Sequence, residues 1–437
     1  MASISSNGSG GGLSNTAGTW SGGIVPVAGD DVVVAAGDVV VVTGAHVWGS
    51  DTGDAVTVHG TLAASRAVDT SLTLRGNLVI EAGGVCDYGR PGDPCANDHE
   101  LALNDSSAPA YAKYTLTVTA TGELYAYGTA SRTYRTQLAL PALSGADTFT
   151  VDDATGWLPG DTVVVAPAGQ YYRQPGRHTV VSVTGGLVQI DSPLSHDRPA
   201  GITVGNLTRN IRIRAADLDL ATRAYIYVTA ATPPASRVLR HVEFAALDRG
   251  TGVKINCTEP NTGAIGEFDD VSLHGVRDQL LSVVALPQRV QLGVMSWSLG
   301  ARNVDLSTGA KVGLRNAILF RGSFLTYSFN NGFDSSEFTG CEFYGGSFAL
   351  WGRPANAPIY RFGCLQTAVR IDAGMPAQFF DCTVGTAEQP IQSLVSVVAG
   401  AGTETRWTDC QLGAPVPSLA GALESARVVI ANRDGDP

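Results

Sequence analysis

The stretch FFDCTVG, Phe379–Gly385, sets a cysteine behind an aspartate and two aromatics, two places before a valine. The arrangement returns as WTDCQLG from Trp407 and as FTGCEFYG from Phe338. Looser copies precede them: LRHVEF (239–244), FDDVSL (268–273), VMSWSL (294–299) and LRNAIL (314–319). YRFGCLQ around Cys364 is an imperfect copy, with its aromatic one place off. Aligned on the cysteine, the key positions are Val242, Val271, Trp297, Ala317, Cys341, Cys364, Cys382 and Cys410, spaced 29, 26, 20, 24, 23, 18 and 28 residues apart. Spacing that hovers near two dozen with variable remainders marks a solenoid whose coils differ in loop length.

Side chains alternate faces along a strand, so the key residue and the apolar residue two later share one face. The leading apolar or aromatic residue is three places before the key position, the wrong parity for an unbroken strand. Both point inward only if the chain bends between them. The residue before the key position is His241, Asp270, Ser296, Asn316, Gly340, Gly363, Asp381 or Asp409. Gly, Asn and Asp tolerate the left-handed backbone of a sharp corner. The repeat therefore reads as strand, corner, strand, with the cysteines as small apolar fillers of a narrow core. Rungs about 4.8 Å apart would make this segment about 34 Å long. Asp270, Asp381 and Asp409 hold the corner slot that Asn and Gly fill elsewhere, so they read as turn residues rather than as a catalytic row.

The totals fit such an object. Only 16% of residues are charged, and glycine numbers 52 of 437; many strands joined by tight turns have this composition. Lysine occurs only at Lys113, Lys254 and Lys311, and the net charge is −11. That acidity argues against nucleic acid or an anionic membrane as the main partner. No apolar run reaches the roughly 18 residues of a membrane span. MASISSNGSGGGLSNTAG at the start is polar, without a basic start or an apolar core, and reads as a flexible arm over residues 1–17. Such a start fits release by a route without a classical signal, of which incorporation into a virus particle is one.

Seven cysteines spread along a long chain do not make a disulfide framework. Cys86 and Cys95, nine apart in CDYGRPGDPCANDHE, read as loop thiols or as one local bridge. With His99 they lack a clear fourth metal ligand. No GGxGxD calcium repeat, phosphate loop, or Ser-His-Asp or nucleophilic-cysteine context is present, so neither a cofactor nor a metal is expected.

The first half also reads as short alternating strands: DDVVVAAGDVVVVTG, AVTVHGTLAAS, SLTLRGNLVIEAGG and YTLTVTATGELYAYG. GTWSGGIVPVAGDDVVVAAGDVVVV (18–42), GELYAYG (122–128), WLPGDTVVVAP (157–167), VQIDSPLSHDRPAG (188–201) and VGNLTRNIRIR (204–214) occur in this order. Together these words resemble the eight-glycine (G8) domain and the β-helix that follows it in fibrocystin-like and hyaluronan-processing cell-surface proteins and in bacterial and phage proteins. The resemblance spans roughly residues 17–215. It implies a right-handed parallel β-helix, all-β, with eight-glycine-type coils at its N-terminal end, and Trp20 covering the apolar end of the first coil. No hyaluronan-cleaving residue set maps onto these positions. The expected layout is an arm at 1–17, an eight-glycine-type β-helical domain at 18–215, about eight further rungs at 216–420, and a cap or contact tail at 421–437.

Three functional readings follow. The leading one is a structural and adhesive component of a virus particle: a tail fibre, tailspike or decoration protein in the style of phage-encoded members. Its partners would be other virion proteins and copies of itself, in a homo-oligomer such as a trimer, together with a host surface polysaccharide. An extracellular or cell-surface location is the alternative. The second is a polysaccharide-cleaving lyase or hydrolase, for which Asp269, Glu337, Glu342 and Arg361 offer carboxylates and a cation. The third is non-catalytic carbohydrate binding by YSFNNGFDSS (327–336) and YGGSFALWGRPANAPIYRF (344–362), with Tyr344, Trp351, Arg353 and Arg361 as contact residues.

Overall fold

The computed structural model describes residues 2–51, 53–103, 114–119, 121–166, 176–215, 225–230 and 238–245, and thereafter the strands between 253 and 431. Beyond residue 215 it describes side chains at 239–245, 271, 272 and 274. The chain divides into one unit of residues 1–131 and 209–284 and a second of 132–208 and 285–437.

In the first unit the coils build three parallel ladders, to which the first coil contributes two strands and each of the next five coils three. The first ladder stacks Ser3–Ser5, Asp31–Val34, Asp54–Val58, Asn77–Ile80, Thr115–Val118 and Tyr225–Ala230. The second stacks Gly11–Leu13, Val39–Val42, Thr61–Ala64, Val85–Tyr88, Glu123–Tyr127 and Val238–Arg240. The third stacks Gly44–Trp48, Thr70–Leu74, His99–Ala102, Ile211–Arg214 and Val242–Ala245. This is a parallel β-helix. Alternation places every second side chain inside, where like sits on like. Val34, Val58, Ile80 and Val118 form one register column, Val40, Leu62, Cys86 and Leu124 another, and all eight are buried. Each large aliphatic so placed stabilises by about 1.5–3 kcal/mol.

Between coils the chain passes close under its predecessor. A Cβ on Gly60 would lie 2.2 Å from the Ala35 carbonyl oxygen, and one on Gly84 2.0 Å from that of Val58. Both glycines immediately precede a second-ladder strand, so glycine is required by the approach of two backbones.

The N-terminal residues are not a free arm. Ser3–Ser5 and Gly11–Leu13 are the first rungs of two ladders, and Asp38 accepts the Gly8 and Gly10 N–H groups, each at 2.8 Å. The polarity that suggested flexibility belongs to turn glycines and short edge strands. Trp20 covers this end as expected: it is 2% exposed, donates its Nε1–H to the Ser14 carbonyl at 2.9 Å and meets Trp48 edge to face.

In the second unit, residues 132–208 depart from the stacked coils expected throughout 18–215. Arg135–Gln137, Thr203–Asn206, Thr162–Val165, Gly176–Thr184, Leu187–Ile190 and Thr148–Thr150 pair antiparallel in that order. A bridge from Leu138 to Val151 brings the last strand back to the first, closing a small barrel. Its core includes Phe149, Trp157, Val163, Val188 and Leu207. Alternation of period two serves parallel coils and antiparallel barrels alike, so the pattern could not tell them apart.

Residues 285–437 return to parallel ladders. One register column runs Leu314, Phe338, Tyr360, Phe379, Trp407, Ile430, the leading-residue slot of the sequence repeat. Another runs Leu319, Phe343, Leu365, Val384, Leu412. Two assignments of the repeat shift. Trp297 pairs with Phe320, and Cys364 pairs with Glu342 beside the slot of Cys341, because the strand is bulged there. Cys382, Cys410 and Ala317 themselves lie outside the described residues. In the first unit, Phe244 pairs with Leu273, and Val242 and Val271 are buried as the repeat requires. His241, the corner residue before Val242, has a φ of +52°.

Candidate functional site

Two polar clusters stand out on the β-helix. The first is built on the corner after Val85–Tyr88. Asp87 points outward yet is only 8% exposed, because Arg66 and Arg90 close over it. Arg66 donates from Nη2 to Asp87 Oδ1 at 2.6 Å, from Nε to Asp93 Oδ2 at 3.1 Å, and from Nη1 to the Ala64 carbonyl at 2.8 Å and Cys95 Sγ at 3.2 Å. The Arg90 guanidinium donates to Asp87 and lies 4.4 Å above the Tyr125 ring. Burial alone would raise the Asp87 carboxyl, but the Gly89 N–H and the two arginines outweigh it and hold the group ionised below its ordinary range.

The second cluster is a ladder of alternating charge on the third face. Register places Glu100, Arg212, Glu243 and Ser272 on successive rungs. Arg214 grips Glu100 through two hydrogen bonds of 2.9 Å. Glu243 Oε2 accepts the Arg209 N–H at 3.1 Å and lies 3.1 Å from Arg212 Nε, while Oε1 meets His274 Nε2 at 2.9 Å. Glu243 and His274 are each 2% exposed. Burial pushes the Glu243 carboxyl up; Arg212, His274 and the Arg209 N–H overcome it and bring the value to about 2.

A third group lies within the coil. His99 is buried with Nδ1 2.8 Å from Thr70 Oγ1, and burial lowers its pKa to about 4, so the ring is neutral. Its neighbour Tyr88 meets it edge to face. Cys86 and Cys95 are buried free thiols, which decides between the two readings of that pair in favour of thiols. Burial pushes both thiols up, Cys95 to about 11. Among the described residues no group of three or more His, Cys, Asp or Glu could hold a metal.

These arrangements can lock strands together; neither carboxylate is set up for proton transfer. A general acid needs a raised pKa and a reachable proton. Asp87 and Glu243 have lowered values and oxygens already committed to donors.

Of the residues singled out in the sequence, Tyr344 and Trp351 lie on one strand, Glu337–Trp351, with Glu337 and Glu342. Arg361 is on the neighbouring strand Ile359–Ile371, level with Thr339, whereas Tyr344 is level with Gln366. The backbone therefore brings the two aromatics onto one strand but does not bring Arg361 level with either. Asp269 pairs with Arg240 in another ladder. Arg353 lies outside the described residues. Sequence reading missed Arg66, Asp87, Glu243 and His274, although Glu243 follows a key position by one and so has outward parity.

The described chain is thus a parallel β-helix interrupted by an antiparallel barrel. Residues 19–139 match the family model of the G8 domain, in line with the eight-glycine resemblance. Fibrocystin-L of Mus musculus is 31% identical over 163 residues, covering 32% of this chain and 4% of that protein. Fibrocystin-L of Homo sapiens is 29% identical over the same length. The chain therefore matches only a small part of these relatives' length.

Among solved structures, the Gp54 tailspike of Acinetobacter baumannii bacteriophage AP22, in complex with A. baumannii capsular saccharide, aligns with a TM-score of 0.26 at 13% identity, over 85% of this chain and 64% of that one. The tailspike gp49 of Pseudomonas phage LKA1 aligns with a TM-score of 0.22 at 9% identity, over 91% and 75%. Among the described residues, no helix is long and apolar enough to cross a membrane.

Proposed function

We propose that this protein is a non-catalytic scaffold: a structural and adhesive β-helical component of an exposed particle or surface, of the virion type, that contacts surface glycans. The observation that carries the reading is the state of Glu243. This buried outward carboxylate is held ionised down to about pH 2 by three donors, which suits a strand lock and not an acid–base pair. Coils that are each stabilised by their neighbours also suit continuous exposure to proteases. Glycan contact falls to the strand of Tyr344 and Trp351, with Arg353 and Arg361 nearby in sequence. Incubation with acidic and neutral polysaccharides should release no new reducing ends or unsaturated products, while a glycan array should give binding that Tyr344→Ala and Trp351→Ala weaken. Turnover abolished by Glu342→Gln would overturn the non-catalytic reading. Absence from purified particles, by mass spectrometry, would remove the virion assignment.

A further inference from the structure

Inside the fourth coil of the first unit, Asn77–Ala102, two polar side chains face each other. Tyr88 and His99 point inward from the two ends of the corner 89–98 and are 1% and 2% exposed. Their rings meet edge to face, with centroids 6.2 Å apart. His99 Nδ1 is engaged by Thr70 Oγ1 at 2.8 Å. Its Nε2 and the Tyr88 hydroxyl are buried atoms with no hydrogen-bond partner among the described residues. Cys86, inward two places before Tyr88, and Ala126, level with Tyr88 on the next rung, are buried too, and neither side chain is a strong donor or acceptor.

Unpaired polar groups in a core are costly, and native structures pair nearly all of them. Chemistry selects the partner. Burial keeps the His99 ring neutral, so Nε2 is one acceptor or one donor, according to which nitrogen carries the proton. Burial, and after it the Cys86 and Cys95 thiols, raise the Tyr88 hydroxyl well above its ordinary pKa. The hydroxyl therefore keeps its proton and can both give and take a hydrogen bond. An ion would be buried among uncharged groups, at a heavy desolvation cost. A water molecule donates and accepts, so it matches the hydroxyl and either form of the ring. We infer that the fourth coil has a built-in hydration site, at which one water bridges Tyr88 Oη to His99 Nε2 as a permanent part of the core. The corner joining the two residues is tied down by Asn210 through the Cys95 and Asn97 carbonyls, which keeps the site shut. The inference stands apart from the scaffold reading and does not depend on it.

A crystal structure of the full chain, at a resolution that shows ordered water, should place one peak within hydrogen-bonding distance of both atoms. Tyr88→Phe should lose that peak and lower the melting temperature, because a paired hydroxyl is removed. An orphaned hydroxyl predicts the opposite sign, since deleting it relieves a buried polar group that has no partner. A higher melting temperature for Tyr88→Phe therefore overturns the inference. So does a wild-type map with no water at this place, or with the hydroxyl directly on His99 Nε2. The wild-type map needs no variant, so it decides the matter even where Tyr88→Phe folds poorly.

Discussion

Cys86 fills the slot that Leu62 occupies one coil earlier and Leu124 one coil later, which explains its burial and its raised pKa together. Native protein should therefore not react at Cys86 with aromatic disulfide reagents until it is denatured. Cys86→Ser, which buries an unpartnered hydroxyl, should cost about 1–3 kcal/mol in chemical denaturation. Glu243 makes the opposite case, a buried charge kept by its partners. Glu243→Gln removes the buried anion between Arg212 and His274 and should destabilise by about 3–5 kcal/mol. Because its folded pKa is lowered from 4.5 to about 2, Glu243 contributes fully above pH 4.5. That contribution drains as pH falls toward 2, so the melting temperature should decline through this window in the wild type and less steeply in Glu243→Gln.

At the scale of strands and corners, the pattern made the coils legible because a fixed inward parity recurs every two dozen residues. Phe338, Phe379 and Trp407 do share one column. His241 bears out the corner argument with a positive φ in a non-glycine residue. Trp297 and Cys364 slipped out of the expected slots because a bulge or an altered corner length shifts parity without changing composition. The candidate clusters were illegible for a related reason. Arg66 and Asp87 are 21 residues apart in sequence and meet only because adjacent rungs stack. The close corners yield a direct test: Gly84→Ala, which must push back a backbone carbonyl, should cost about 1–3 kcal/mol, measured by thermal denaturation. The barrel offers another. With its own closed sheet and core, residues 132–208 expressed alone should melt cooperatively with Trp157 buried, as intrinsic fluorescence would report.

For the molecule as a whole, a solenoid's stability is approximately a sum over neighbouring coils. Removing Asp54–Gly76, one strand from each ladder, would let Val34 stack on Ile80 in place of Val58 and should give a soluble protein with a lower melting temperature. Removing only Asp54–Gly60 takes one strand and leaves two ladders a rung ahead of the third, and should abolish folding, seen as loss of the β-type circular dichroism spectrum.

The barrel enters between the second and third strands of a single coil, and one side chain holds the doorway. Asn210 accepts the Thr129 N–H at 3.2 Å where the chain departs, and donates to the Cys95 and Asn97 carbonyls, at 2.8 and 3.0 Å, where it comes back. The exit and re-entry points are thereby pinned to the preceding coil, whatever lies between them. Such a corner works as a socket: its cargo can be exchanged for a foreign domain of any length whose ends meet, while the coils on either side keep their winding.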